Sequence, residues 1–476
     1  MTLAQLLTEQ LPRLIATGVP SPDVKTLELE DPQGEPFSAY YPYERSTSVL
    51  VDGAWTIPDN VFCGTLSIGM RHHALACALQ VAVLEVRGEH REVWASADSA
   101  ICDLYPIKLT GRWIRKDEPL MSPSPNPAFD KAAIMLTPPV LTSWMRHSIR
   151  DATIKVLGII FPEETGHRKS GQGWVFGVEA EERVRKKTKR WKHRGYYARP
   201  MYAGRDDMSA RIPTLSPLRQ KTVVVFGLGT LGAPAALEFA RGGVGELRLI
   251  DHDHVDAGPT VRWPIGLSAV GRPKTEVIKE FIDNNYPYTR VSTNSMKIGN
   301  PRSSGEVRQD AMIDRLLADA SLVFDATAEL DVQRLLSGLA ATRRLPYVAV
   351  VGKPGAWGGT VFRHLPGKTE GCWNCLQWAQ QEGGSIPSPA ADPEPGLQPL
   401  GCGDVTFTGT SFDMSTIGLD AVRKAVGTLC GPNGGYPDSD WDVAVISLRN
   451  QDGSVSAPSW ATFKLRREPR CGCSNQ

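Results

Sequence analysis

The chain has 476 residues, 22% of them charged, and a formal net charge of +1. That length suits two or three domains, and the near balance of 53 Lys and Arg against 52 Asp and Glu removes any global pull toward nucleic acid or acidic membranes. The nine cysteines are odd in number and clustered, which argues against a disulfide framework and predicts a reducing, cytoplasmic setting.

In chain order, residues 1–18 read as an amphipathic helix and not as a signal peptide, because no basic start precedes an apolar core. No run is long enough to span a bilayer, so no membrane partner is expected. Strands are predicted in 25–29, 37–43, 48–51 and 62–68, and helix followed by strand in 71–89. A helix over 141–157 should feed the apolar run 156–161. Residues 1–205 are therefore expected to form an α+β domain. His72, His73 and Cys77 lack further nearby ligands, and Cys63, Cys77 and Cys102 sit in apolar surroundings as small hydrophobes would. The run 183–194, RVRKKTKRWKHR, is read as a solvated helix face or a dock for an acidic protein, with no nucleic-acid partner expected. Residues 200–218, with three prolines, read as a linker.

The second half, 206–476, carries the chemistry. Val223, Val224, Val225 and Phe226 have the content of a buried parallel strand. Gly227, Gly229 and Gly232 follow in G-x-G-x-x-G spacing, before an alanine-rich helix from Ala233 to Arg241. A tight turn, close approach of a phosphate and close helix packing are the three uses of such glycines. The next apolar run ends on Asp251, 19 residues past Gly232, close to where a carboxylate holds ribose hydroxyls. Arg262 and Lys274 come after it. Two cations there suit a triphosphate and its pyrophosphate leaving group, whereas a dehydrogenase needs neither. Cys372 and Cys375, with Cys471 and Cys473, offer four thiolates in two close pairs, as a structural tetrahedral Zn2+ site requires. Residues 377–401 read as a crossover loop. Cys402 follows between two glycines, near the start of a predicted helix over 413–428, where a helix dipole favours a thiolate nucleophile.

These motifs together resemble the adenylation domain shared by MoeB, ThiF and the ubiquitin-activating enzymes. The likeness runs from about 211 to 473 through GLGTLG, Asp251-His252-Asp253, Arg262 in TVRW and Gly271-Arg272-Pro273-Lys274. It implies a Rossmann-like α/β fold and ATP-dependent adenylation of the C-terminal carboxylate of a ubiquitin-like protein. It further implies a thioester on Cys402, transfer to a conjugating enzyme, and a homodimer or a pseudo-dimer with the N-terminal half. Arg211 stands where the family has an arginine reaching a neighbouring site. The phrasing DHDHVDAGPTVRW is most similar to bacterial activating enzymes of antiphage ubiquitin-like operons, of the BIL and CBASS types. The N-terminal half is then expected to bind a partner, or to be an inactive domain of adenylation or conjugating-enzyme type. Two departures concern Mg2+. Pro259 replaces an asparagine, and DATAEL places Ala328 where the family has its magnesium aspartate, leaving Asp325 and Glu329 as the expected ligands. Alternatives are sulfur-carrier activation and a non-catalytic scaffold that keeps the adenylation fold.

Overall fold

The computed structural model describes residues 37–71, 79–119, 122, 124–129, 147–149, 152–166, 169–185, 188–299, 309–381, 383–394, 396, 408–431 and 435–475. The chain divides into two compact units, Met1–Ala203 and Gly204–Gln476. Among the described residues no helix is long and apolar enough to cross a membrane, and the seven described cysteines are all free thiols.

The first unit is mostly sheet. Its strands are β1 (Tyr43–Val51), β2 (Cys63–Met70), β3 (Gln80–Gly88), β4 (Val93–Ser96), β5 (Ile107–Arg115), β6 (His147–Ile149), β7 (Ala152–Gly166), β8 (Lys169–Arg185) and β9 (Thr188–Tyr202), with the short helix α1 (Ser99–Leu104). The order is β1-β9-β8-β7-β5-β2-β3-β4, and β1 also pairs with β3. Seven strands therefore close on themselves, which removes the exposed ladder edges an open sheet would carry. Two-residue alternation fills the two sides of the ladder: Trp113, Trp174, Phe176 and Val178 share one apolar cluster, while Ile114, Val175 and Tyr197 belong to another. Trp174 and Phe176 stack at 5.5 Å, and Trp113 donates to the Arg87 carbonyl at 2.8 Å.

Three expectations change here. Of the helix expected over 141–157, the described residues His147–Ile149 and those from Ala152 are strand, and the described residues of the basic run lie on the paired strands β8 and β9. The unit expected to be α+β has, among the described residues, nine strands and only two short α-helical stretches, Ser99–Leu104 and 126–129. Cross-strand partners far along the chain, invisible to a local window, decide the outcome where β-branched and long apolar residues fit either period. The opening helix and His72, His73 and Cys77 lie outside the described residues.

The second unit holds a Rossmann-like sheet. Helix α2 (Arg205–Ser209) leads to β10 (Thr222–Phe226), α3 (Gly232–Arg241), β11 (Glu246–Ile250), α4 (Lys274–Asn285), β12 (Arg290–Asn294), α5 (Gln309–Leu317), β13 (Leu322–Asp325), α6 (Leu330–Thr342) and β14 (Tyr347–Gly352). It continues through β15 (Gly358–His364), α7 (Trp373–Ala379), α8 (Ser411–Cys430), β16 (Val443–Arg449) and β17 (Val455–Phe463). Sheet order is β12-β11-β10-β13-β14-β15-β16-β17, parallel through β14 and antiparallel beyond it. Chain order reverses direction at β10. A crevice opens at such a switch point, outside the carboxyl ends of the strands. β10 is buried on both faces: Val223 and Val225 pack with α3 and α8, Val224 and Phe226 with α5, α6 and α7.

A buried polar cluster ties α8 to β15. Arg363 Nη1 donates to Asp438 Oδ2 at 2.6 Å, and Lys424 Nζ donates to the Ser439 carbonyl at 2.6 Å while lying 4.1 Å from the Trp441 ring centre. Burial, then the like charge of Arg363, pull the Lys424 ammonium down to about 8 against the opposing pull of Asp438. An unfolded lysine titrates near 10.4, so between about pH 8 and 10.4 the unfolded chain binds more protons than the folded one. Stability should rise with pH across that window and be lost as pH falls through about 8. Relative to Lys424→Met, the native chain is expected to gain roughly 2 kcal/mol between pH 7.5 and 10, read from urea melts at the two pH values.

Candidate adenylation site

The glycine loop after β10 is set by contacts that no side chain could share. Gly227 has φ +81, in the left-handed region, and a Cβ on Gly232 would fall 1.8 Å from the Gly227 carbonyl oxygen. Gly229 meets nothing within 4 Å, so its bareness faces open space. Asp251 holds the loop from the end of β11. Its Oδ2 accepts from the Leu228 N–H at 2.5 Å and its Oδ1 from the Asp253 N–H at 2.7 Å. Trp263 adds an indole N–H to the Leu228 carbonyl at 2.8 Å. We expect Gly232→Ala to lower nucleotide affinity at least about tenfold and stability by roughly 2 kcal/mol, because the obstacle is backbone. Gly229→Ala should leave the melting temperature unchanged. Calorimetric nucleotide titration and thermal melts on both variants separate the two effects.

A cleft opens at these strand ends. Gly227, Gly229, Asp251, Asp253, Lys274 and Glu329 all line it. So do His252, Lys297 and Thr327, which were not among the expected site residues, and an apolar wall of Met296, Ile298 and Val332. Lys274 is the first residue of α4, and its ammonium donates to Asp253 Oδ2 at 2.8 Å. Partial burial pushes the Asp253 carboxyl up, but the hydrogen bond and charge of Lys274, with His252 and Lys297 behind it, hold it below its ordinary value. A positive end is thus poised beside an apolar wall. That is the division a nucleotide requires, base on one side and phosphates on the other.

Asp325 is not on the cleft wall. It is fully buried; Thr327 donates to its Oδ1 from N–H at 3.0 Å and from hydroxyl at 2.7 Å, and Tyr347 donates to its Oδ2 at 2.7 Å. Burial drives its carboxyl up, opposed by these donors. Its place is to fix the turn that carries Thr327 and Glu329. Ala328, between them, sits at φ +58, and Glu329 is exposed at the start of α6. Arg262 lines a second cleft, between α3 and α8, with Thr230, Trp263 and Met414, while Lys274 does not. Arg211 is exposed. Cys402 and residues 397–401 of the expected crossover loop lie outside the described residues.

Cys372, Cys375, Cys471 and Cys473 come together although 99 positions separate Cys372 from Cys471. The Cys372–Cys375, Cys372–Cys471 and Cys375–Cys473 sulfurs are 3.8, 3.5 and 3.6 Å apart. Four sulfurs at about 2.3 Å from a tetrahedral ion stand about 3.8 Å apart. The donor set and the spacing both fit a metal such as zinc. Two of the four sit at the N-terminal end of α7, and burial pushes both of those thiols up.

The model of the ThiF family matches residues 207–430. Protein y4qC of Sinorhizobium fredii is 30% identical over 501 aligned residues, covering 99% of this chain and 80% of the relative. The sulfur carrier protein ThiS adenylyltransferase of Escherichia coli is 28% identical over 265 residues, 54% of this chain and 88% of that protein. A crystal structure of E. coli MccB aligns with TM-score 0.42 at 16% identity, over 56% of this chain and 72% of that one.

Proposed function

The chain belongs to the ThiF family, and from that premise we propose that it is an ATP-dependent adenylyltransferase acting on the C-terminal carboxylate of a ubiquitin-like protein. The observation that carries this reading is the single cleft in which the glycine loop, Asp251 and Lys274 meet. ATP lies there with its ribose toward Asp251, its base along Met296 and Ile298, and its phosphates toward Lys274. A carboxylate oxygen of the partner attacks the α-phosphorus, the bond to the bridging oxygen breaks, and pyrophosphate leaves. Mg2+ takes oxygen ligands; Asp251 is occupied by loop N–H groups and Asp253 by Lys274, which leaves Glu329 as the carboxylate to hold it. Arg262, from its neighbouring cleft, serves the same charge. Zn2+ in the cysteine tetrad is structural.

In the second step the Cys402 thiolate attacks the acyl carbon, AMP leaves, and the thioester passes to a conjugating enzyme. Residues 1–205 supply partner binding. The bacterial antiphage type is the setting that the DHDHVDAGPTVRW phrase favours. The similarity to the ThiS adenylyltransferase favours a second reading, in which a sulfur carrier is activated and Cys402 forms no lasting thioester. ATP–pyrophosphate exchange with candidate ubiquitin-like partners, followed by a non-reducing gel, decides. Exchange with a dithiothreitol-sensitive adduct, and loss of the adduct but not of exchange in Cys402→Ala, is the expected result. Exchange without an adduct overturns the thioester step, and no exchange with any partner despite ATP binding leaves a scaffold.

A further inference from the structure

The end of β13 runs directly onto the glycine loop. Phe226 of β10 pairs with Asp325 of β13, and the Ala326 N–H donates to the Phe226 carbonyl at 2.8 Å. A Cβ on Gly227 would stand 2.9 Å from the Thr327 Cα, so backbone meets backbone there. Thr327 is half-buried and lines the cleft beside the loop that receives phosphates. Its hydroxyl is committed in one direction. Asp325 Oδ1 accepts the Thr327 N–H at 3.0 Å and lies 2.7 Å from Thr327 Oγ1. Because Oδ1 takes an N–H, any carboxyl proton would stand on Oδ2, beside Tyr347, and Oδ1 stays an acceptor in either state. The Thr327 hydroxyl therefore gives its only proton to Asp325 and keeps its lone pairs for other partners. Such a hydroxyl takes a cation or an N–H; it has no hydrogen left for a phosphate oxygen.

We propose that Thr327 Oγ1 is a protein ligand of the Mg2+ that accompanies ATP, its proton held by Asp325. The inference rests on the adenylation reading above and adds an oxygen where that reading is short of one. Ala328 brings no ligand, and Asp325 has both oxygens taken by Thr327 and Tyr347. Glu329, two residues past Thr327 along the same cleft, is then a single carboxylate for an octahedral ion. A hydroxyl oxygen, one carboxylate, phosphate oxygens and waters suit a small hard cation, and a Ser or Thr hydroxyl serves this way in P-loop nucleotide sites. A hydrogen bond from the ligand to a buried carboxylate fixes its lone pairs and makes its oxygen more basic. Lys274, the ammonium placed in this cleft by a hydrogen bond, is turned to Asp253 instead.

The test uses the full chain in excess over ATP, without a partner protein. Mn2+ is the probe, read by loss of the free-ion electron paramagnetic resonance signal. Thr327→Val should raise the Mn2+ dissociation constant about tenfold, while ATP affinity measured without divalent cation stays native. Thr327→Ser should bind Mn2+ as the native chain does. Thr327→Cys keeps a hydrogen for Asp325 but offers sulfur, a poor ligand for Mg2+ and a better one for Mn2+, so its preference for Mn2+ over Mg2+ should rise about fivefold in competition. A fold defect does not change which ion is preferred, so the cysteine variant decides even where Thr327→Val melts early. Native Mn2+ affinity in Thr327→Val, or an unchanged ion preference in Thr327→Cys, overturns the proposal. Glu329→Gln separates this outcome from failure of the underlying reading. Weakened Mn2+ binding there beside a native Thr327→Val overturns the hydroxyl ligand alone, whereas native affinity in both variants overturns the metal site itself.

Discussion

Lys274→Met is expected to slow ATP–pyrophosphate exchange at least about a hundredfold, mostly in kcat, with the melting temperature within a few degrees of native. The ammonium is the cleft's one cation locked in place: α4 begins at Lys274, whose N–H bonds the Asp253 carbonyl at 3.0 Å while its side chain pairs with the Asp253 carboxylate. Removing it subtracts a positive charge where pyrophosphate charge develops and also strips Asp253 of the partner that holds it ionised. The second effect would itself repel phosphate, so Asp253→Asn is the control. If Lys274 acts only by neutralising Asp253, the double variant should recover exchange. If it acts on the phosphates, the double variant should be as slow as Lys274→Met, and Asp253→Asn alone should keep most activity. Equal loss in kcat/KM and ATP affinity, with kcat intact, would sink the transition-state role.

The cleft was largely legible in advance because its parts are local. Gly227, Gly229 and Asp251 act through backbone geometry within one βαβ unit, and that unit has a sequence period of its own. Lys274 follows the same logic, one helix start further on. What spacing could not show depends on distant partners. Asp325 stands at a strand end like Asp251, but Tyr347, from the neighbouring strand β14, and Thr327 bury it and take its oxygens. Arg262 is close to Lys274 in sequence, and Trp263, whose indole reaches back to Leu228, fixes the segment along a different cleft. Lys297 has no motif; it lines the cleft only because β12 ends beside β11. The first unit was hardest, since a closed sheet is defined by pairings such as β1 with β3 and β9 that no local window contains.

Stripping metal from the cysteine tetrad should have the largest effect on stability and should also reach the ATP cleft. The sulfurs join α7 to the chain segment beyond β17, and α7 contributes Trp373, Cys375 and Leu376 to the apolar cluster that contains Phe226 and Ile250. Those last two residues line the cleft at the ends of β10 and β11. Burial pushes the Cys372 and Cys375 thiols up, so without an ion the α7 pair favours its protonated form and the tetrad lacks the attraction that would hold two chain segments together. Loss of a structural zinc from small domains is worth about 10 kcal/mol or more. With most of this unit's core elsewhere, a loss of about 4 kcal/mol is the expectation, or a fall of about 8–16 °C in melting temperature. One equivalent of zinc by elemental analysis in the native chain, none in Cys375→Ser or Cys471→Ser, and the same fall from either variant or from chelation would establish the link. ATP affinity should fall in parallel and return when zinc is restored to the chelated protein. A Cys375→Ser chain that keeps its metal and its melting temperature would show that the four sulfurs are neighbours without an ion between them.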